Sequence, residues 1–295
     1  MKMVSSIKNA LEKSEPLFSV EFFPPKNEEG GKRMLETAAA IQPHKPDFVS
    51  ITYGAGGGTR ETTMHYARAL QDEYNFEVMP HLTCVGHTSD ELLEILEDFA
   101  KAGFRNVMAL RGDPPKGEKV FQTVKGGLSY GSDLVALIKE NFPEFGIGVG
   151  GYPEKHPESS DAFSDLSHLK TKVDAGADFI TTQLFFENQV YFDFVKACNE
   201  VEITVPILPG LLPVLSLGQV RRFCGMCEAV LPSELEQQLT HASEDEHAKV
   251  GSAWASAQVS ELLNGGAPGY HIYALNKPLS TLQILQSVGM NAKTS

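Results

Sequence analysis

One carboxylate in this chain sits where a charge is expensive. Glu21 lies in Val20-Glu-Phe-Phe-Pro-Pro25, inside an apolar run over 18–23. Ionised and unpaired in such a strand it would cost several kcal/mol, so it needs a partner or a raised pKa. A raised carboxyl pKa is what a general acid near neutral pH requires. An ion pair with Arg or Lys inside the fold is the competing reading. Other chemically capable side chains recur at the C-terminal edges of similar runs: Thr52 and Tyr53, His81, Arg111-Gly112-Asp113, Tyr152 with His156, and Gln183. Glycine in the Arg-Gly-Asp segment permits a tight turn, and the Gln183 amide can donate and accept at once.

Eight short apolar runs carry these groups, over 18–23, 48–53, 78–84, 106–111, 146–152, 179–185, 206–211 and 270–275. Segments with helical apolar spacing separate them, which predicts strand–helix repeated eight times. Helices are expected over 28–42, 60–74, 89–102, 132–142, 161–175, 188–200, 216–227 and 278–288, with a capping box at Thr88–Glu91. The fold class expected is α/β, a single (β/α)8 TIM barrel domain spanning 1–295. An N-terminal helix presenting Val4, Ile7 and Leu11 would cover the barrel bottom. Extra helices over 232–265 would lie between strands seven and eight. In such a barrel the C-terminal strand ends form the active face, and that is where the polar residues fall.

Several sequence features carry less than they suggest. Gly146-Ile-Gly-Val-Gly-Gly151 matches G-x-G-x-x-G by spacing, but the glycines are the strand itself rather than the turn before a helix. They read instead as places where a flat ligand or another backbone approaches closely. The glycine-rich Tyr53-Gly-Ala-Gly-Gly-Gly58 leaves a strand at the active face and is a candidate ligand loop. Cys224-Gly-Met-Cys227 lacks a second pair, so no metal site is expected and the cysteines read as structural. His241 and His247 read as solvated surface residues. A net charge of −13 argues against a nucleic-acid partner. No run reaches the length of a membrane span, no signal-peptide pattern opens the chain, and four cysteines suit a reduced compartment, so a cytoplasmic location is expected.

The residues also resemble a known family. Phe18-Ser-Val-Glu-Phe-Phe-Pro-Pro25, Phe48-Val-Ser-Ile-Thr-Tyr-Gly-Ala55, Pro80-His-Leu-Thr-Cys84, Ala109-Leu-Arg-Gly-Asp113 and Tyr152-Pro-Glu-Lys-His-Pro157 look like methylenetetrahydrofolate reductases of the short bacterial type. So do Lys172-Val-Asp-Ala-Gly-Ala177, Gln183-Leu-Phe-Phe186 and Leu208-Pro-Gly-Leu-Leu-Pro213.

The resemblance implies non-covalent FAD in a barrel without a Rossmann domain. It also implies NADH or NADPH as co-substrate, ping-pong hydride transfer to 5,10-methylenetetrahydrofolate, a role in supplying methyl groups for methionine, and a homodimer or homotetramer. By motif position, Glu21 matches the general acid and Asp113 a carboxylate near flavin and pterin. Cofactor contacts would be Thr52, Tyr53, Ala55, His81, Arg111, Gly112, Asp113, Tyr130, Gly131, Tyr152, His156, Asp165, His168 and Lys172. Substrate contacts would be Gln183, Gln219, Phe223 and Lys277. His168, Thr171 and Lys277 depart from the usual pattern, where Asn, Arg and Arg are more familiar. The competing readings are a flavin- or folate-binding relative without turnover of its own and an FAD-linked proline dehydrogenase of the same barrel group.

Overall fold

The computed structural model describes residues 6–11, 15–53, 60–114, 117 and 121–289. Its strands are β1 (Leu17–Phe22), β2 (Phe48–Ile51), β3 (Val78–Thr83), β4 (Asn106–Leu110), β5 (Gly146–Gly151), β6 (Phe179–Thr182), β7 (Ile207–Leu208), β8 (Gly210–Leu211) and β9 (Gly269–Tyr273). All pair in parallel, in the order β7-β6-β5-β4-β3-β2-β1-β9-β8. β7 and β8 flank Pro209 and together form one stave, bonded to β6 on one side and β9 on the other. Proline has no N–H to give a ladder, which breaks the single strand expected there. Its carbonyl still accepts from His271 N at 2.9 Å. The result is the expected α/β TIM barrel.

Period-two alternation divides each strand between two apolar environments. Phe18, Val20, Phe22, Val49, Ile51, Val78, Leu82, Val107, Ile147 and Ile180 face the surrounding helices in one large cluster. Leu17, Phe48, Met79, Met108, Phe179 and Leu208 form a second, smaller cluster inside the N-terminal end of the barrel. Helix α1 (Ser6–Leu11) packs Ile7, Ala10 and Leu11 onto that inner cluster, closing the bottom as expected. Val4 lies outside the described residues.

The outer helices are α2 (Glu28–Ile41), α3 (Arg60–Tyr74), α4 (Ser89–Lys101), α5 (Gly131–Asn141), α6 (Ala162–Asp174), α7 (Asn188–Glu200), α8 (Leu217–Cys227) and α11 (Pro278–Ser287). In α4 the spacing of Leu92, Ile95, Leu96 and Phe99 puts all four on the buried face. Each such side chain contributes about 1.5–3 kcal/mol on burial. The Thr88–Glu91 capping box fixes its start. The chain over 232–265 forms α9 (Ser233–His241) and α10 (His247–Asn264), joined by a short 3-10 turn.

His247 corrects the sequence expectation. It is buried, and its Nε2 lies 2.8 Å from the Leu239 carbonyl near the end of α9. A helix C-terminus leaves carbonyls in want of a donor, and this ring supplies one. His241 is exposed as expected. Cys224 is buried on α8 with its thiol pushed up to about 11 by burial, which suits an inert structural cysteine.

Gly148 is set by the core rather than by a ligand. A Cβ there would lie 2.7 Å from Phe179 Cζ and 3.2 Å from Met108 Cε. The missing side chain is the notch that the Phe179 ring fills. Gly148→Ala should lower stability by about 1–3 kcal/mol, the usual cost of overpacking. Urea denaturation measures this, and an unchanged midpoint would mean that the notch is not tight.

Candidate active site

The inner face of the barrel changes character above its apolar base. Alternation along β1 takes it from Leu17 to Ser19 and then Glu21, along β2 from Phe48 to Ser50, along β3 from Met79 to His81, and along β9 to His271 and Tyr273. Parallel register sets Glu21 beside Ser50 on one side and Tyr273 on the other.

These residues converge on one carboxylate oxygen. Ser50 Oγ donates to Glu21 Oε2 at 3.3 Å. His271 Nε2 lies 3.4 Å from the same oxygen. His81 Nε2 lies 3.3 Å from it, within ion-pair range but without hydrogen-bond alignment, so its pull is chiefly that of charge. Behind His271, Ser19 Oγ stands 2.7 Å from Nδ1. Ser19 Oγ donates to the Tyr270 carbonyl at 3.4 Å, which leaves it an acceptor for Nδ1–H, with Nε2–H pointing at Glu21. Phe48 stacks on the His271 ring from below, with centroids 5.9 Å apart. Glu21 is 6% exposed and His271 fully buried, so little water competes with these contacts.

The electrostatics reverse the sequence expectation. Burial by itself raises the Glu21 carboxyl, and it is the largest single influence. Positive charge on His81, followed by the hydrogen bond from His271, outweighs it and holds Glu21 at about 2. An apolar strand predicted a raised value because its sequence does not reveal two imidazoles from distant strands. The ion-pair alternative also changes, since the partners are histidines rather than Lys or Arg.

Around this group the strand ends and loops build a polar mouth. The hydroxyl of the half-buried Tyr273 donates to the Thr182 carbonyl at 2.5 Å. Burial, then the charges of Glu21 and Tyr152, push its pKa up. Tyr152 is likewise raised by burial and then by the field of Asp113. Its ring meets His156 edge-on with centroids 4.4 Å apart. Both Asp165 oxygens organise this loop, accepting from His156 N at 3.1 Å and Ser159 Oγ at 3.0 Å. Lys172 Nζ donates to the Gly150 carbonyl at 2.6 Å, and burial lowers its pKa to about 8. Arg111 forms a two-pronged pair with Glu158 at 2.6 and 2.8 Å.

Gly112 turns the chain after β4 at φ +89°, and a Cβ there would lie 2.7 Å from Val85 Cγ1. Both facts demand glycine. Asp113, just beyond, is exposed at the mouth. Gly131 lies by the Arg111 backbone and the Lys172 stem, next to the largely exposed Tyr130.

Other sequence-selected residues are placed differently from one another. Thr52 N bonds to the Phe22 carbonyl, and the Tyr53 hydroxyl lies 3.3 Å from His87 Nε2. Gln183 Oε1 accepts from Leu184 N at 2.9 Å. Gln219 Oε1 accepts from Leu215 N at 2.9 Å, which turns that amide toward the start of α8. Phe223 is half-buried on α8, with the Arg222 guanidinium 5.4 Å over its ring. His168 and Thr171 are exposed on α6, and Lys277 is exposed at the start of α11. Ala55 lies outside the described residues.

Sequence reasoning missed Ser19, Ser50, His271 and Tyr273. The signal was present in the alternation: Ser19 and Glu21 share a face of β1, and His271 is the polar residue on the matching face of β9.

The depressed Glu21 pKa has a measurable consequence. Its stabilisation is fully present above the ordinary carboxyl value of 4.5 and is lost as pH falls toward about 2. Stability against urea should therefore fall more steeply in the wild type than in Glu21→Gln between about pH 5 and pH 2. Parallel profiles would show that the buried carboxylate gives no net stabilisation.

Comparison with known proteins supplies the family. The family model for methylenetetrahydrofolate reductase matches residues 6–289. Methylenetetrahydrofolate reductase (NADH) 1 of Arabidopsis thaliana is 37% identical, over 98% of this chain and 51% of that protein. The chain therefore spans about half the length of the plant relatives it matches. The 5,10-methylenetetrahydrofolate reductase of Escherichia coli (strain K12) is 37% identical over 92% of this chain and 90% of its own length. Among solved structures, an uncharacterized protein from Clostridium thermocellum that binds two copies of 5-methyl-5,6,7,8-tetrahydrofolic acid shares the fold. Its TM-score is 0.68 at 18% identity, covering 96% of this chain and 97% of that one. This chain belongs to the methylenetetrahydrofolate reductase family.

Proposed function

We propose that this protein reduces 5,10-methylenetetrahydrofolate to 5-methyltetrahydrofolate, with FAD as bound cofactor and NADH as electron donor. The observation that carries the reading is a buried carboxylate held between two histidines at the active face of a barrel of this family. The (NADH) in the names of the plant relatives supports that donor.

The donor set at the mouth fits a flavin dinucleotide. Lys172 is a largely buried cation whose hydrogen-bond partner is a backbone carbonyl, so an anionic diphosphate would complete it. Thr83 Oγ1 and Thr181 Oγ1 are buried hydroxyls without partners on inward-facing strand positions, suited to the polar edge of a ring system. At Gly150 the nearest atom to an added Cβ is 3.7 Å away, which leaves room for a flat group. Arg111, His156 and Tyr152 would complete the cradle, with Arg111 exchanging Glu158 for phosphate. FAD supplies the hydride carrier that links nicotinamide oxidation to folate reduction.

The chain's own work is to position the substrates and handle a proton. Opening the five-membered ring of methylenetetrahydrofolate to its iminium form needs a proton at nitrogen. Here that proton is shared by Glu21 and its imidazoles rather than stored on an ordinary neutral carboxylic acid. Glu21 is the donor to substrate, His271 returns the proton to it, and His81 acts on the carboxylate through its charge. Asp113 places negative charge at the mouth where the cationic iminium develops. Gln183 and Phe223 are the substrate contacts of this reading, an amide for the pterin edge and an aromatic wall against it. The methyl group so made is in the form used for methionine synthesis.

The test begins with the visible spectrum of the purified protein. Flavin bands that bleach with NADH under anaerobic conditions, and return on adding methylenetetrahydrofolate, are expected. A protein that stays colourless and inactive with added FAD would contradict the reading.

Within that assay, Glu21→Gln should keep the NADH half-reaction and lose the folate one; loss of both would make Glu21 structural. Asp113→Asn should slow folate turnover about tenfold or more. Lys172→Met should weaken FAD retention, read as flavin absorbance remaining after gel filtration.

A further inference from the structure

The hydrogen on the far side of the His271 ring has a fixed place. Nε2 faces Glu21, and Nδ1 lies 2.7 Å from Ser19 Oγ. The Ser19 hydroxyl directs its single hydrogen to the Tyr270 carbonyl at 3.4 Å, so toward the ring it only accepts. Ser19 and His271 are both fully buried, and no water competes for either contact. Packing holds the ring in this orientation. Phe48 stacks on it at 17°, and Tyr273 meets it edge-on with centroids 5.3 Å apart.

The surrounding strands leave the ring one outlet. β1 presents the Glu21 carboxylate, and β3 presents His81, whose Nε2 stands against the same oxygen. β9 itself adds Tyr273. β8 sets Gly210 beside His271, and β2 contributes Phe48 and Ser50, none of which titrates. Beyond Nδ1 the line of hydrogen bonds stops at a main-chain carbonyl, which takes up no proton. A proton leaving this ring therefore leaves from Nε2, toward Glu21.

Resting on the reductase reading above, we propose that Ser19 is a positioning residue for the folate half-reaction. By holding a hydrogen on Nδ1 it makes the Nε2–H of His271 the single mobile proton behind Glu21. In the step, the Nε2 proton passes to Glu21 and on to the substrate nitrogen, and the ring stays behind neutral with its hydrogen on Nδ1. A proton from solvent restores the charge, entering through Glu21 at the mouth. Without Ser19 the neutral ring would keep its one hydrogen on Nε2, beside the carboxylate. It would also lose the acceptor that favours the doubly protonated form.

Ser19→Ala and Ser19→Cys test this, the second keeping a side chain of similar size with a much weaker acceptor. Each variant is reduced with NADH and then mixed with methylenetetrahydrofolate under anaerobic conditions. Both should reduce flavin within about twofold of the wild-type rate and reoxidise it with folate at least about tenfold more slowly. The alkaline fall in the folate rate should move to lower pH, because the protonated ring has lost an acceptor. Nitrogen NMR signals of the imidazole, assigned through His271→Gln, report on the ring without flavin or turnover. A hydrogen on Nδ1 is expected in the wild type at neutral pH, and a bare Nδ1 in Ser19→Ala. The proposal is overturned by a bare Nδ1 in the wild type, by equal slowing of both half-reactions, by Ser19→Cys behaving as wild type, or by unchanged folate rates and pH profiles. A wild type that takes up no flavin would overturn the reductase reading instead. An Nδ1 hydrogen present there and lost in Ser19→Ala would leave the hold of Ser19 on the ring standing.

Discussion

Glu21 can remain in the barrel interior because two imidazoles stand against it. Desolvation alone would drive this carboxyl to its neutral form, and the positive field of His81 together with the hydrogen bond from His271 reverses that outcome. The balance depends on strand register, since β1, β3 and β9 must each present the right residue at one height. A one-residue slip in any of them would turn its polar group out among the helices and an apolar residue in. The polar centre thus depends on the apolar base below it. Phe48 belongs to that base and also stacks on His271.

The barrel separates its tasks by height. At the bottom, α1 and the inner cluster exclude water. In the middle, Ser19, Ser50, His81 and His271 hold Glu21. At the top, longer loops carry Arg111, Asp113, Tyr152, His156 and Lys172, where ligands can reach them. The loop groups are themselves held: Asp165 ties down the chain after β5, and Gly112 allows the turn after β4. Under the proposed function, the rigid strands would bear the proton-handling group and the loops the ligand cradle.

Much of this was legible in the sequence, for physical reasons. Alternating apolar runs and helical spacing are local signals, so the strands and helices were found to within a residue or two at most ends. The exception, Pro209, is also local: a missing N–H splits a stave. Glu21 stood out because a charge in an apolar strand demands an explanation. Its partners did not, because His271 is 250 positions away in sequence and a histidine in an apolar strand need not be charged. The direction of the Glu21 shift was misread for the same reason. His247 was misread because a histidine in an acidic insertion looks solvated until a helix end claims its ring. The strand glycines were half understood: close approach was right at Gly148, but the approaching group is Phe179.

Infrared difference spectroscopy on the carboxyl stretch, comparing wild type with Glu21→Gln across pH, addresses the buried carboxylate most directly. The account predicts that the band of a protonated carboxylic acid assignable to Glu21 is absent at neutral pH and grows in only well below the ordinary carboxyl range. A protonated Glu21 band at neutral pH would contradict it, because burial would then have prevailed over the two histidines.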